Sequence, residues 1–310
     1  MPELTPRDSL QETEIDCIKT KLNPLRLSNP KFIISFIIAW FLLLFFSPAT
    51  SDIISEYGIF SFLGVLGAIF ANSTGAGGGV IFIPAFNELA FSEEKSIATS
   101  FAIQCFGMTA GAFTWWFHYK NEKTELRLWQ GFKRIIAITS IASILGIWFV
   151  YSGDIRPPSS LHQSFSWFSL LLGFFIVITV LFLKPHRGRS QVYGWDWFAL
   201  ISIGIFGGAL TAWLSVGVGE LLAIYLILRR FDVNMAVAAA VIVSACTVWS
   251  AIWQHTLVSF EVYWQVVLFA GPGAVLGGVF AKTLVSHLSA RHLKLFFAFW
   301  LLVIGIVGIN

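Results

Sequence analysis

Long apolar segments, separated by short polar ones, occupy most of the chain from residue 32 onward. Several of them approach the roughly 20 residues that a helix needs to cross a bilayer. The pattern therefore predicts an all-α polytopic membrane protein. Uninterrupted spans are predicted at 32–50, 97–117, 135–150, 165–183, 233–253, 264–284 and 293–309.

Two further apolar segments are interrupted by glycine. Residues 58–91 would form a helix about 51 Å long at 1.5 Å per residue, which is too long for one crossing of a core roughly 30 Å thick. The interruption in this segment is residues 72–84, Asn-Ser-Thr-Gly-Ala-Gly-Gly-Gly-Val-Ile-Phe-Ile-Pro. Segment 197–228 is interrupted in the same way at residues 215–219, Ser-Val-Gly-Val-Gly. Each segment is predicted to form a hairpin of two shorter helices.

Unwound backbone inside a bilayer has no water to satisfy its hydrogen-bonding groups. Such a break persists only where it is buried in protein or lines a polar cavity. The two interruptions are therefore interpreted as the two halves of one binding site.

The two halves of the chain match at a constant offset. Gly64, Gly67, Gly77 and Gly79 are each followed by another glycine 140 positions later. Each copy holds five elements, the two helices of a hairpin and three spans, and because five is odd the second copy must be inverted in the membrane. The predicted fold is two inverted-topology repeats with one extra N-terminal transmembrane helix. The predicted divisions are a tail at 1–31, the extra helix at 32–50, and the repeats at 58–183 and 195–310.

Composition agrees with this class and indicates the orientation. Charged residues make up 12% of the chain, whereas soluble domains carry about 25%. Lys and Arg are concentrated before residue 32 and in the segments 120–134, 184–189 and 282–294, which the positive-inside rule assigns to the cytoplasm. Segment 51–57 contains acidic residues but no Lys or Arg and is predicted to be an outer loop. We expect a multi-pass protein of the cell (inner) membrane with its N-terminus in the cytoplasm and its C-terminus outside.

Helix N-termini provide the predicted chemistry of the site. Each carries roughly half a positive charge, and glycine allows a ligand to approach the backbone closely. Two such ends that face the middle of the bilayer would bind an anion without a buried Lys or Arg. For Gly64, Gly67, Gly204 and Gly207 we prefer the simpler interpretation of close helix packing. The predicted substrate-binding residues are Asn72, Ser73, Thr74, Gly75, Gly77, Gly78, Gly79, Thr99, Ser100, Gln104, Ser215, Gly217, Gly219 and Ser244.

Glu220 directly follows the second break in an apolar segment. An ionisable group at this depth suggests a function, and a role in proton or cation coupling is one interpretation. The alternative is a helix cap, because a carboxylate in the first turn interacts favourably with the helix dipole. An ionised Glu220 would also repel an anion bound beside it.

The motif Gly75-x-Gly77-Gly78-Gly79 with Pro84, followed by Ala98-Thr99-Ser100 and the small residues Gly107 and Gly111, resembles the sulfite exporter (TauE/SafE) family. The resemblance extends from about residue 58 to the end of the chain. It implies a bacterial or archaeal permease for sulfite, sulfonates or related sulfur anions. The second half departs from the pattern, since Val218 stands in place of a glycine, Ile224 in place of a proline, and Ala-Ala at 239–240 in place of Thr-Ser.

The leading hypothesis is a secondary transporter that moves a small sulfur-containing anion by alternating access, with proton or sodium coupling left open. An anion channel that uses the same helix-end site is the alternative. A third possibility is an intramembrane serine hydrolase that uses Ser215 or Ser244 with His255, although no nucleophile-elbow sequence accompanies either serine.

Other chemistry is not expected. The sequence contains no phosphate-binding loop of the Walker type, and its three cysteines have no metal-site spacing. We therefore expect no enzyme activity, no cofactor, no metal and no nucleic-acid partner. The expected partners are the anionic substrate and the lipid bilayer.

Overall fold

The computed structural model describes residues 30–45, 50–121, 129–157, 160–182, 189, 191–287 and 290–309. Most of the predicted tail at 1–31 lies outside these residues, as do the basic segments 122–128 and 183–188. Helices are the regular elements of the described part, which also contains one isolated bridge between Arg189 and Phe231.

The described helices follow the predicted apolar segments closely. Each predicted span from residue 97 onward coincides with one helix, and both predicted interruptions separate two helices. The helices are α1 (Pro30–Phe45), α2 (Thr50–Tyr57), α3 (Phe60–Thr74), α4 (Gly79–Glu88), α5 (Glu93–Asn121), α6 (Phe132–Ser152), α7 (Leu161–Phe182), α8 (Gly194–Leu214), α9 (Val218–Leu228), α10 (Val233–Leu257), α11 (Trp264–His287) and α12 (Ala290–Val307).

Seven helical segments of the described residues are long and apolar enough to cross a membrane. Two shorter apolar helical segments are Val218–Leu228, which is α9, and Leu295–Val307 in α12. Helix α4 has 10 residues, so the second helix of each broken hairpin is short, as expected. The seven segments are Asp52–Thr74, Glu93–Lys120, Phe132–Ser152, Leu161–Leu181, Gly194–Leu214, Val233–Leu257 and Trp264–Leu284.

The described residues divide into two units, with the boundary between Thr50 and Ser51. Within its described residues the first unit consists mainly of the apolar helix α1. The second unit contains both breaks and every predicted site residue.

The prediction of a loop at 51–57 is wrong, because these residues belong to α2. The N–H of Gly58 donates to the carbonyl of Ile54 at 3.0 Å, so helical hydrogen bonding continues beyond α2 toward α3. Asp52 lies in the first turn of α2, where its charge is favourable. Asp52, one of the acidic residues in this segment, is therefore compatible with a helix start.

Helices α5 and α10 form the centre of the second unit. In their most apolar 18-residue windows, 72% and 78% of the residues are buried, compared with 28–56% in the other spans. Helix α3 packs against α11, α8 against α6, α7 against α12, and α5 and α10 against each other. The breaks are therefore held against the most deeply buried pair of helices.

Glycines permit the close packing of α3 with α11 and of α8 with α6. A Cβ on Gly64 would overlap the carbonyl of Ala270, and one on Gly277 would overlap the carbonyl of Val65. A Cβ on Gly208 would likewise overlap the carbonyl of Ser143 in α6. Small residues allow helix backbones to approach in membranes, where van der Waals packing replaces the hydrophobic driving force.

We predict that Gly277→Ala destabilises the protein by about 1–3 kcal/mol, the usual cost of overpacking, because the added methyl group has to displace the backbone of α3. Thermal unfolding in detergent measures the effect. The control is Gly194→Ala, since a Cβ at Gly194 meets no atom within 4 Å. Equal unfolding midpoints for the two variants would contradict the packing argument.

Candidate functional site

The two breaks begin with the same backbone geometry. Gly75 directly follows α3 and Ser215 directly follows α8, and both capping residues have left-handed conformations with φ of 83° and 60°. The N–H of Gly75 donates to Ala71 at 3.0 Å, and that of Ser215 donates to Thr211 at 2.8 Å. A non-glycine residue rarely adopts this conformation, so Ser215 is held there by its surroundings.

The backbones of the two breaks touch each other. A Cβ on Gly79 would lie 2.7 Å from the carbonyl oxygen of Ser215. A Cβ on Gly219 would overlap the carbonyl oxygen of Gly75. Only glycine fits at positions 79 and 219 without displacing the opposite break.

The carboxylate of Glu220 joins the two breaks. Its Oε1 accepts from the N–H of Gly77 at 2.7 Å, and its Oε2 accepts from the N–H of Gly217 at 2.8 Å. The bond to Gly217 is a local helix cap, in which the third helical residue reaches back to the residue before the helix. The bond to Gly77 crosses to the other break. Glu220 is 3% exposed, and a buried carboxylate is costly unless it is paired or hydrogen-bonded.

Gln104 in α5 makes a second link between the breaks. Its Oε1 accepts from the N–H of Gly78 at 2.9 Å, and its Nε2 donates to the Ser215 hydroxyl at 2.8 Å and to the Ser215 carbonyl at 3.1 Å. The Ser215 hydroxyl in turn donates to Ser100 at 2.9 Å. The structure therefore brings together Ser100, Gln104, Ser215 and the first glycine cluster.

Ser244 points into the first turn of α9. It is 4% exposed, and its hydroxyl has no hydrogen-bond partner among the described residues. A Cβ on Gly219 would overlap this hydroxyl, so the two groups are in contact. Ser244 occupies the position in α10 that lies 140 residues after Gln104 in α5.

The remaining predicted polar residues bond to nearby backbone. Asn72 donates to the carbonyls of Ala68 at 2.8 Å and Gly107 at 3.2 Å. Ser73 and Thr74 both donate to the carbonyl of Phe70, at 3.1 and 2.8 Å. Thr99 accepts from the N–H of Tyr263 at 3.0 Å. Asn72 and Ser73 belong to the end of α3 and Thr99 to α5, whereas the Thr74 hydroxyl also accepts from the N–H of Ala76 within the first break at 3.2 Å.

Thr211 is a residue of the site that sequence reasoning missed. Its hydroxyl accepts from the N–H of Val218 at 3.1 Å and donates to the carbonyl of Gly207 at 2.7 Å. It therefore caps the start of α9 from within α8. Its position one helical turn before Ser215 is the feature of the sequence that could have indicated this role.

Asp196 is a second residue that was missed. It joins the two ends of the α8–α9 hairpin that lie away from the break. It is 1% exposed and accepts from Arg229 at 2.8 Å, Arg189 at 2.7 Å and the Tyr225 hydroxyl at 2.7 Å. The N–H of Tyr193 also donates to it at 2.8 Å. The sequence feature that could have indicated this role is a single acidic residue at the start of an apolar segment. Its partners tie the start of α8 to the end of α9.

A small cavity of about 40 Å³ lies beside the breaks. At about 10–15 Å³ for each water centre, it has room for a few water molecules. The cavity is lined by Thr74, Ala76, Leu172, Ile176, Thr179, Glu220, Ala223, Ile224, Ile227 and Phe297.

The serines considered as nucleophiles are not bonded to His255. Ser215 bonds to Ser100 and Gln104, whereas His255 Nε2 lies 3.1 Å from the Tyr151 hydroxyl. In the described part of the chain, no group of three or more His, Cys, Asp and Glu residues could hold a metal ion. The arrangement gathers backbone hydrogen-bond donors at two helix starts, where side chains accept from them.

The sequence profile of the sulfite exporter TauE/SafE family matches residues 60–307. The chain belongs to the TauE/SafE family. The match runs from the first residue of α3 to the last residue of α12, so it includes both breaks. TauE/SafE membership and the seven apolar spans make this protein a multi-pass membrane permease. No curated protein and no solved structure matches the chain.

We predict that Gln104→Leu destabilises this TauE/SafE protein by about 1–3 kcal/mol, because buried groups on Gly78 and Ser215 lose their partner. Chemical denaturation in detergent measures the change. Gln163→Leu is the control, since Gln163 is exposed at the start of α7. A loss for Gln104→Leu no larger than that of the control would show that the link between the breaks contributes nothing.

Proposed function

We propose that this protein is a secondary transporter that moves a small sulfur-containing anion, such as sulfite or an organosulfonate, across the cell membrane. One observation carries the proposal. The N–H groups of Gly77 and Gly217, from two different breaks, converge on the two oxygens of one carboxylate at 2.7 and 2.8 Å. Donors that hold a carboxylate suit other small oxyanions, since helix starts favour negative charge.

The proposed site consists of these backbone donors and the polar side chains around them. Gln104 and Ser244 reach the site from the central helices α5 and α10. Membership of the TauE/SafE family supports a sulfur anion as the substrate. The complete proposed set is Asn72, Ser73, Thr74, Gly75, Gly77, Gly78, Gly79, Thr99, Ser100, Gln104, Ser215, Gly217, Gly219 and Ser244.

The helix contacts support two inverted repeats. In the two repeats α3 corresponds to α8, and α11 corresponds to α6. The contact between α3 and α11 therefore has its counterpart in the contact between α8 and α6, and both contacts are present. At the offset of 140 positions, Gly79 corresponds to Gly219 and Ser215 corresponds to Gly75. The contact between Gly79 and Ser215 has its counterpart in the contact between Gly219 and Gly75, which is also present. These paired contacts are what a pseudo-two-fold axis would produce, and the odd number of elements in each repeat would place that axis in the membrane plane.

Alternating access follows from this arrangement. One repeat would move against the other about the contact between the breaks, and the small cavity beside Glu220 corresponds to a closed state. The positive-inside rule places the N-terminus and the ends of the α8–α9 hairpin in the cytoplasm and the C-terminus outside. Coupling to a proton or to sodium completes the proposal, with Glu220 as the candidate coupling group.

Reconstituted proteoliposomes test the proposal with labelled sulfite, thiosulfate, taurine and acetate. We expect uptake that saturates and that is accelerated by substrate on the opposite side. Gly79→Ala should reduce uptake at least about tenfold, which corresponds to about 1.4 kcal/mol, because the added methyl group forces the breaks apart. Gly194→Ala is the control and should transport like the wild type.

Several results would overturn parts of the proposal. Flux that neither saturates nor responds to substrate on the opposite side would indicate an anion channel. Equal uptake of every anion tested, or full activity of Gly79→Ala, would remove the proposed site. Imposed proton and sodium gradients identify the driving ion, and a Glu220→Gln variant that responds to them like the wild type would exclude a coupling role for Glu220.

A further inference from the structure

The bond from Gly77 to Glu220 is more than a helix cap requires. Capping α9 needs only the bond between Glu220 and Gly217, three residues away. The second oxygen instead accepts from Gly77, which is 143 residues away and belongs to the other break. A single carboxylate therefore occupies the point where both sets of backbone donors converge.

A second observation points to a ligand at the same place. The buried Ser244 hydroxyl lies against the first turn of α9 and has no partner among the described residues. Leaving a buried hydroxyl without a hydrogen bond is costly. A small oxyanion bound at the start of α9 would supply the missing acceptor. The cavity that Glu220 lines gives the carboxylate space into which it can withdraw.

We infer that the Glu220 carboxylate is an internal anion that occupies the position of the transported anion, which must displace it to bind. This inference rests on the proposed function. Glu220 and the substrate exclude each other because they need the same N–H groups and carry like charges. In the absence of substrate the carboxylate satisfies these donors and holds the breaks together, and its competition keeps substrate binding weak enough for release.

The asymmetry of the repeats agrees with one internal anion for both breaks. The residue 140 positions before Glu220 is Val80, which is fully buried. Two carboxylates at this point would repel each other. One carboxylate with two oxygens matches one donor from each break.

The first test replaces the internal anion with an added one. In purified Glu220→Ala, the donors of Gly77 and Gly217 lose their acceptor and the side chain leaves a space. Sodium formate or sulfite should raise the unfolding midpoint of this variant by about 2–4 °C, compared with sodium chloride at equal ionic strength. A shift of this size is expected when the ligand concentration exceeds the dissociation constant by a factor of about ten or less. The wild type and Glu88→Ala, which lacks an exposed carboxylate, should show no such rise.

The second test measures competition during transport. Glu220→Gln keeps the size of the side chain but removes the charge. The concentration of labelled sulfite that gives half-maximal uptake should fall about tenfold, or about 1.4 kcal/mol. Glu88→Gln carries the same change of charge on the surface and should leave this concentration unchanged. An unchanged or higher value for Glu220→Gln would overturn the inference.

The two tests separate this inference from the proposed function. If the wild type transports none of the anions while formate still stabilises Glu220→Ala selectively, the internal anion stands and the transport function fails. If transport is saturable but formate and sulfite stabilise the wild type and Glu220→Ala equally, the internal anion alone is refuted. Should Glu220→Ala not fold, stabilisation of Glu220→Gln by sulfite in the same assay decides, and a response equal to that of the wild type refutes the inference.

Discussion

The structure depends on how two stretches of unwound backbone are satisfied inside an apolar protein. Lipid and the apolar protein interior offer their N–H groups no acceptor, so polar protein groups accept from them. Glu220 accepts from Gly77 and Gly217, Gln104 accepts from Gly78, and Thr211 accepts from Val218. The glycine contacts that bring α3 close to α11 and α8 close to α6 serve the same end, because the breaks meet only if their helices pack tightly.

The same constraint would allow the proposed site to recognise an anion without a cationic side chain. Backbone donors at helix starts carry partial charges, which attract an anion less strongly than a buried Arg or Lys. A transported anion has to leave again, so moderate attraction is an advantage. A competing internal carboxylate adds to this effect, since the donors are satisfied both before binding and after release.

The positions of the described helices were largely predictable, because bilayer thickness relates apolar length directly to helix length. The exception is α2, where acidic residues that suggested a loop instead lie in a helix. The hydrogen bonding around the breaks was predictable in part. Glycine runs located the breaks, and the polar residues of α5 pointed to Gln104. Sequence reasoning missed Thr211, because a threonine that caps a helix looks the same as one that bonds within its own helix.

The sequence alone determined that the chain crosses the membrane, where its helices break, and that the breaks recur at one offset. These properties depend on composition, apolar length and the conformational freedom of glycine, all of which are local. Only the tertiary structure decided that the second oxygen of Glu220 reaches Gly77. That bond joins residues 143 positions apart. It forms because the packing of α3, α8 and the central helices brings the backbones of the two breaks into contact, and no local sequence pattern specifies that contact.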